Sequence, residues 1–399
     1  MGAGVSGASA AYYLARAGVR DIIVIDSGSS PGEGGEPKSG SAVMDSAPTI
    51  KMMVQAYAAS SASFIAHHGR EGARRYLSLT AQGLRQQKRL AKEFLPDPDD
   101  QLRELGSFYV AYAEDEPALR EEFETLQSLG CCPDIVWYDK AMLQLVDGCS
   151  PDFHCAIFFP QDAIIDSSSY AKALLNAVEA ERSVRLLLET KVTKVTEGEG
   201  TPLVYLSSGA IIKCKYVVMA TGGLFQLPEL NGILMPCYSY LVHVPVDQSQ
   251  GHPCEYSSNF FTWGFTHDWS FTKGRVRCSG EDHYSAYKSP LSQERCTSLW
   301  NWTLDRYGCS DSEVHDIPAQ YGVYSETPDI TPLIGSRNEN SHVCYLLGCN
   351  AWGQAVLSYS SSLVPGLLGY KPLTADERDH LQLLSIRRFT ELPQRQCSL

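Results

Sequence analysis

Gly2-Ala3-Gly4-Val5-Ser6-Gly7 leads into a helix-periodic run from Ala8 to Ala17, Gly18 closes it, and Ile22-Ile23-Val24-Ile25 follows, ending on Asp26. The order is glycine turn, helix, β-rich run, acid. Gly2 permits a tight turn, Gly4 leaves room for a pyrophosphate to approach the backbone, and Gly7 lets the helix pack closely on a sheet. A pyrophosphate held there meets free N–H groups at the positive end of the helix. Asp26, roughly 20 residues beyond the last glycine, is placed to accept hydrogen bonds from adenosine ribose hydroxyls. The glycine pattern alone is weak evidence. With helix, strand and acid in place it points to a dinucleotide-binding α/β unit. Such a unit normally starts with an apolar strand, and only Met1 precedes Gly2. The expectation is a sheet that lacks its first, central strand through truncation, because a genuine start at Met1 would expose two neighbouring strand edges.

The 399 residues suffice for two domains, or for one with a large insertion. With 44% hydrophobic and 20% charged residues, 32 Gly and 21 Pro, the mix is globular; disorder, collagen-like repeats and coiled coil are excluded. The net charge of −13 and the absence of any basic run argue against nucleic acid as a partner. Thirteen cysteines without a Cys-x-x-Cys pair read as reduced thiols, so a cytoplasmic location is expected, with targeting information open to loss along with the first strand. Cys131-Cys132 could be a redox or metal element or two small hydrophobes, and His67-His68 belong to no metal-spaced cluster, so no metal is expected. Met1-Gly2-x-x-x-Ser6 also fits a myristoylation pattern, which competes with the glycine turn. No run approaches the ~18 apolar residues of a membrane span.

Further along, 27–42 reads as a Gly/Ser/Pro loop, 43–93 as mostly helical with a break near Pro48, and Pro117–Leu129 as an acidic surface helix. Cys155–Phe159 is β-rich, and a helix follows from about Ser168 with Asp166 or Ser167 as N-cap. Short strands end in Tyr216–Ala220, followed by Thr221-Gly222-Gly223. The runs Tyr240–Val246 and Phe260–Cys278, with a turn at Lys273-Gly274, suggest an antiparallel sheet. Thr327-Pro328-Asp329, a strand Val343–Leu347 and a glycine turn at Gly348 opening a helix complete the pattern.

In this order the segments resemble the FAD-dependent oxidoreductase family of D-amino-acid, glycine and sarcosine oxidases. The resemblance is carried by Gly2–Asp26, by Phe159-Pro160-Gln161-Asp162 with Asp166-Ser167-Ser168, and by Lys191-Val192-Thr193-Lys194-Val195. It continues through Val217–Gly223, Thr327–Gly335 and Gly348-Cys349-Asn350-Ala351-Trp352-Gly353-Gln354. It implies an α/β fold: a Rossmann-like FAD-binding domain (1–42, 155–235 and 327–370), a discontinuous α+β substrate domain on an antiparallel sheet (43–154 and 236–326), and a C-terminal tail (371–399). It implies that Gly2, Gly4, Val5, Ser6, Gly7, Asp26 and Ser27 hold the dinucleotide, that the Val192 backbone meets the adenine, and that Thr221 and Gly222 close over it. Gly348, Asn350, Trp352, Gly353 and Gln354 would aim a helix N-terminus at the flavin's pyrimidine end, where reduced flavin carries negative charge.

Departures from the family narrow the expectation. In the sarcosine-oxidase branch a Cys ahead of the Thr-Pro-Asp segment attaches the flavin; the matching residue here is Gly322, so noncovalent FAD is expected. The substrate-gripping Lys of that branch is matched by Ala355, and no Arg lies between Tyr307 and Ser336 to take its place. Arg275 and Arg277 alternate onto one strand face, either as a cation over the flavin or as a solvated strand face. Arg277 and Tyr324 are therefore the candidate catalytic residues. The implied activity is hydride transfer from an amine-bearing (or hydroxyl-bearing) carbon of a small molecule to flavin N5, with oxygen or another acceptor reoxidising the flavin. The alternatives are an NAD-dependent dehydrogenase and a degenerate, non-catalytic flavin-binding protein.

Overall fold

A computed structural model of the chain describes residues 1–28, 52–180, 183–197, 200–223, 230–246, 259–264, 267–272, 274–285, 292–308 and 320–390. The expected loop 27–42 beyond Gly28, the break at Pro48 and Lys273 itself lie outside these residues. The chain opens with α1 (Val5–Arg16) and β1 (Ile22–Ile25), then β2 (Met52–Met53), the long α2 (Ser61–Phe94), α3 (Pro98–Gln101), β3 (Leu102–Arg103) and β4 (Ser107–Ala111). Next come α4 (Glu116–Leu129), β5 (Val136–Tyr138), α5 (Lys140–Leu143), β6 (Cys155–Phe159), β7 (Ala163–Ile165) and α6 (Ser167–Ala180). The strands β8 (Val184–Leu187), β9 (Val192–Glu197), β10 (Pro202–Leu206), β11 (Ile211–Lys213) and β12 (Val217–Met219) follow. The second half holds β13 (Met235–Pro245), β14 (Asn259–Thr262), β15 (His267–Thr272), β16 (Arg275–Tyr284), α7 (Gln293–Tyr307) and β17 (Gln320–Glu326). It ends with β18 (Leu333–Gly335), β19 (Val343–Leu347), α8 (Gln354–Leu367), α9 (Ala375–Leu384) and α10 (Arg387–Thr390).

Among the described residues the strands form five sheets, including the small sheets β11-β10-β9 and β2-β7-β3, and the remaining three position the site. Parallel pairs β1–β8 and β12–β19, with β18 antiparallel to β19, form the α/β side, and α1, α6 and α8 pack on it. Small residues make this packing close: Ala8, Ala10, Ala11 and Ala15 of α1 are all buried. Gly18, at φ +82°, ends α1 in the left-handed conformation that suits glycine. The other body is one eight-stranded sheet in the order β17-β13-β16-β15-β14-β4-β6-β5. The antiparallel expectation holds for most of it, but β14 runs parallel to β4, with Phe260 beside Phe108, so the sheet is mixed. Residues far apart in sequence meet in that pair, which short-range pattern cannot show. Thr272 pairs with Arg275 across β15 and β16.

The face of this sheet turned to α7 is apolar: Phe260, Trp269, Phe271, Val276, Cys278, Tyr240, Val242 and Val244 pack with Leu299 and Trp300. By strand alternation, Phe261, Asp268, Ser270, Arg277, Ser279 and His243 share the opposite face. Two expectations change in detail. The helix of 43–93 begins at Ser61, capped by Ser60, and is interrupted at Gly69, whose φ is +68°. The surface helix α4 buries Glu122, whose carboxylate accepts from the Ser61 N–H at 2.8 Å and the Ser61 hydroxyl at 2.6 Å, tying α4 to the start of α2. All cysteines among the described residues are free thiols. No described helix is long and apolar enough to cross a membrane.

Candidate functional site

The glycine turn is built into the sheet by backbone hydrogen bonds. The Gly2 N–H donates to the Ile25 carbonyl at 2.8 Å, and the Ala220 N–H to the Met1 carbonyl at 2.9 Å. Met1 and Gly2 thus bridge β1 and β12, which are not paired with one another, and a groove of about 210 Å³ lined by Ile22, Val24, Leu14, Tyr216 and Val218 runs between those strands. Gly2 has φ +94°, and a Cβ there would lie 2.1 Å from the Ala220 carbonyl oxygen; a Cβ on Gly7 would lie 1.9 Å from that of Gly2. Both glycines are therefore obligatory for steric reasons. Gly4 caps α1 without any side-chain hydrogen bond, so an anion at the helix start meets backbone and positive helix dipole alone.

Asp26 orders the turn that follows β1. Its Oδ2 accepts from the Ala3 N–H at 2.7 Å and its Oδ1 from the Gly28 N–H at 2.8 Å. Each oxygen keeps a second lone pair, so the expected ribose contact is compatible with the structural one. Ser27 is exposed beside it. The segment ahead of Val192 docks here: the Glu189 N–H donates to Gly28 and the Thr190 N–H to Asp26, both at 2.8 Å. Beyond the end of β12, Gly222 has φ +60°, and the buried Thr221 Oγ1 has no hydrogen-bond partner among the described residues. An orphaned hydroxyl, glycines whose Cβ atoms would clash, and a helix start without a side-chain cap together fit a dinucleotide such as FAD.

The second glycine turn is held by Asn350. Its Oδ1 accepts from the Thr327 N–H at 2.8 Å, and its Nδ2 donates to the Gly348 carbonyl at 2.7 Å. The Thr-Pro-Asp segment and the Gly348 turn are one unit for this reason, and Asn350 and Ala351 adopt φ of 49° and 63° within it. A Cβ on Gly353 would meet the Cys349 Cβ at 2.3 Å. Gly353 caps α8 without a side-chain bond, and Gln354 accepts from the Gln87 amide of α2 at 3.2 Å. Asp329 is gripped by Arg388 at 2.6 and 3.0 Å; burial pushes its carboxyl up, but Arg388 overrides this and leaves it below the ordinary value.

Trp352 joins the turn to the large sheet: its ring meets Phe261 edge-on at 4.8 Å and Tyr109 at 6.1 Å between centroids. Arg277 lies on the same sheet face, paired across strands with His243 and Ser270, and only 8% exposed. Burial lowers its guanidinium to about 10, Asp166 opposing and Arg103 adding to the shift. That placement removes the solvated-face reading of Arg277, while Arg275 is exposed. Tyr324 sits on β17 opposite Cys237, its hydroxyl donating to Asp282 Oδ2 at 2.8 Å with Glu326 Oε1 3.2 Å away. Burial, with Asp282 next, holds this phenol far above its ordinary value. Ala355 is 1% exposed, and its carbonyl oxygen lies 1.9 Å from where a Cβ on Gly83 would be, so α8 packs closely on α2 at this position.

Asp268 was not singled out by sequence. It lies on the same face as Arg277, opposite Ser279 and Phe261, and its Oδ1 is buried without a hydrogen-bond partner among the described residues. Burial, with Asp282 adding, raises its carboxyl to about 8. A lone Asp between His267 and Trp269 gives no sequence signal; only strand alternation, once the register is known, turns it toward the site.

Residues 1–360 match the family model described as FAD dependent oxidoreductase. A D-amino acid dehydrogenase of Bradyrhizobium diazoefficiens is 25% identical over 269 residues, covering 65% of this chain; the chain spans 61% of the length of that curated relative. Among solved structures, glycine oxidase from Geobacillus kaustophilus aligns with a TM-score of 0.69 at 18% identity over 97% of both chains. Iminodiacetate oxidase from Chelativorans sp. BNC1 aligns with a TM-score of 0.70 at 18% identity, over 96% of this chain and 97% of that one. At such identities the two structures establish a shared fold. The family model spans both glycine turns and the sheet between them, and the chain belongs to the FAD dependent oxidoreductase family.

Proposed function

We propose that the protein oxidises a small amino compound with noncovalently bound FAD, the substrate lying between the Trp352 turn and the Arg277 face of the large sheet. When bound, FAD supplies the two-electron acceptor, N5, for hydride leaving the carbon that bears the amine. The protein's part is binding, orientation and charge. Arg277, buried on this face, takes a substrate carboxylate as a charge-assisted pair, supplying the cation that Ala355 does not. Tyr324, fixed by Asp282, orients the substrate from β17. Trp352, Phe261 and Tyr109 wall the site and exclude water. The N-terminus of α8 favours negative charge at the flavin's pyrimidine end by a few tenths to ~2 kcal/mol. Thr221, Gly222 and the Gly2–Gly7 turn hold the dinucleotide, Asp26 the ribose, and the backbone at Val192 the adenine. Oxygen or another acceptor returns the flavin to its oxidised state.

The observation that carries this reading is the placement of a buried arginine on the sheet face toward which the second glycine turn projects Trp352. The amino-acid substrates in the names of the dehydrogenase and glycine oxidase relatives agree with it, and membership of the flavin family does not favour the NAD alternative. The test is anaerobic mixing of the flavin-loaded protein with D- and L-amino acids, secondary amines and hydroxy acids. The expected result is bleaching of the visible flavin band by at least one amino compound. Bleaching by dithionite but by none of these compounds would refute the reading and leave the non-catalytic alternative.

A further inference from the structure

Asp268 lies on the Arg277 face of the large sheet with its carboxylate Oδ1 buried although the residue as a whole is partly exposed, and among the described residues no counter-charge acts on it. It is opposite Ser279 on β16 and Phe261 on β14, and the Phe261 ring is the one that Trp352 meets edge-on. Among the described residues, Tyr109 from β4 and Cys278 from β16 feel its charge and Asp282 from β16 acts on it, with no cation among them. Its Oδ1 is buried, and no described donor reaches it. An acid left in that state costs stability, commonly because a ligand or a proton completes it. Arg277 is on the neighbouring strand one diagonal position away, since Asp268 pairs with Ser279 and Ser270 with Arg277. Diagonal positions on one sheet face are roughly 7–8 Å apart, a span comparable to the length of an amino acid.

We propose that Asp268 receives the substrate's ammonium group: its carboxylate pairs with the cationic amine, accepts one of its protons on Oδ1, and so readies the neutral amine for oxidation. With Arg277 on the carboxylate, the substrate class becomes the zwitterionic amino acid, bound at both ends. The inference rests on the amine-oxidising reading above. In the step, one N–H bond breaks and one O–H bond forms, converting R₂CH–NH₃⁺ and carboxylate to R₂CH–NH₂ and carboxylic acid. Hydride then leaves the α-carbon with both electrons to the family's flavin, giving R₂C=NH₂⁺. The burial that raises the Asp268 carboxyl to about 8 brings it close to an amine's own range, where proton exchange is efficient.

The test uses tert-butylammonium, which has no α-hydrogen and cannot be oxidised, against isosteric, neutral tert-butanol, titrated calorimetrically into the flavin-loaded protein. The wild type is expected to bind the ammonium at least tenfold tighter than the alcohol at pH 8.5. This preference should fall at pH 6.5 as the carboxyl takes up its proton. Asp268→Asn should abolish it while flavin content stays unchanged. If D268N does not fold, the wild-type pH series decides alone. Absence of a preference in the wild type, a preference independent of pH, or its retention within twofold in D268N would each overturn the proposal. Failure of the parent reading is distinct: no amino compound would then bleach the flavin, whatever the ammonium titration gave.

Discussion

Gly7→Ala sets two local rules against each other. Gly7 is inside α1, where alanine is the better helix former by about 1 kcal/mol, so propensity alone predicts a more stable protein. The packing predicts the opposite. A Cβ at Gly7 lies 1.9 Å from the Gly2 carbonyl oxygen and 2.9 Å from its carbon, whereas real Cβ contacts do not fall below 3.0 Å. The helix and turn must separate by about 1.1 Å (3.0 − 1.9). Gly2 cannot move aside easily, because its own Cα is tight against the Ala220 carbonyl, 2.1 Å from where a Cβ would be. Overpacking against backbone costs about 1–3 kcal/mol and exceeds the gain in propensity. In the proposed reading the displaced turn is also the pyrophosphate cradle, so FAD affinity should drop at least tenfold. Gly18→Ala is the control: φ is +82°, but nothing is within 4 Å of the added carbon. It should cost about 1–2 kcal/mol in backbone strain and leave FAD binding untouched. The assays are the urea midpoint and the flavin retained after desalting. A G7A protein that is more stable than wild type and binds FAD within twofold would refute the packing argument.

Three further perturbations follow from the site. Arg277→Met should raise the KM for carboxylate-bearing substrates at least tenfold with flavin content unchanged; an equal effect on simple amines would contradict the carboxylate role. Arg388→Met should destabilise by about 2–3 kcal/mol in urea, because it leaves Asp329 without its two-pronged partner and frees the carbonyls of Thr331 and Pro332. Asp162 is fully buried, and burial raises its carboxyl to about 7, opposed by hydrogen bonds from Ser107 and the Gln55 N–H. A folded-state value above the unfolded one means a contribution that is full below about pH 4 and lost as pH rises to about 7, by up to ~1.4 kcal/mol per unit. Relative to Asp162→Asn, the wild type should therefore lose stability between pH 4.5 and 7.5, and a constant difference would contradict this.

The residues of the glycine turn were the most legible. Gly2, Gly4, Gly7 and Asp26 follow a spacing fixed by turn and helix geometry, and Asp166 is the N-cap expected of it, accepting from the Ser169 N–H at 3.0 Å. Groups that act across the sheet were less legible. Arg277 could be named but not placed, because its burial depends on β13 and β15 flanking β16 in register. Asp268 was invisible for the same reason. The fusion of the Thr-Pro-Asp segment with the Gly348 turn depends on the Asn350 side chain, and the close packing of α8 at Ala355 on Gly83 in a helix far away in sequence. Such long-range contacts leave no local pattern to read.

The central claim is that this chain carries FAD noncovalently and uses it on an amino compound. The most direct measurement is the visible absorption spectrum of the purified protein, recorded as isolated or after reconstitution with FAD, then after denaturation and filtration. The account predicts a flavin spectrum in the folded protein and FAD in the filtrate after unfolding. A protein that stays colourless after incubation with FAD, or a flavin that remains attached to the unfolded chain, would contradict it.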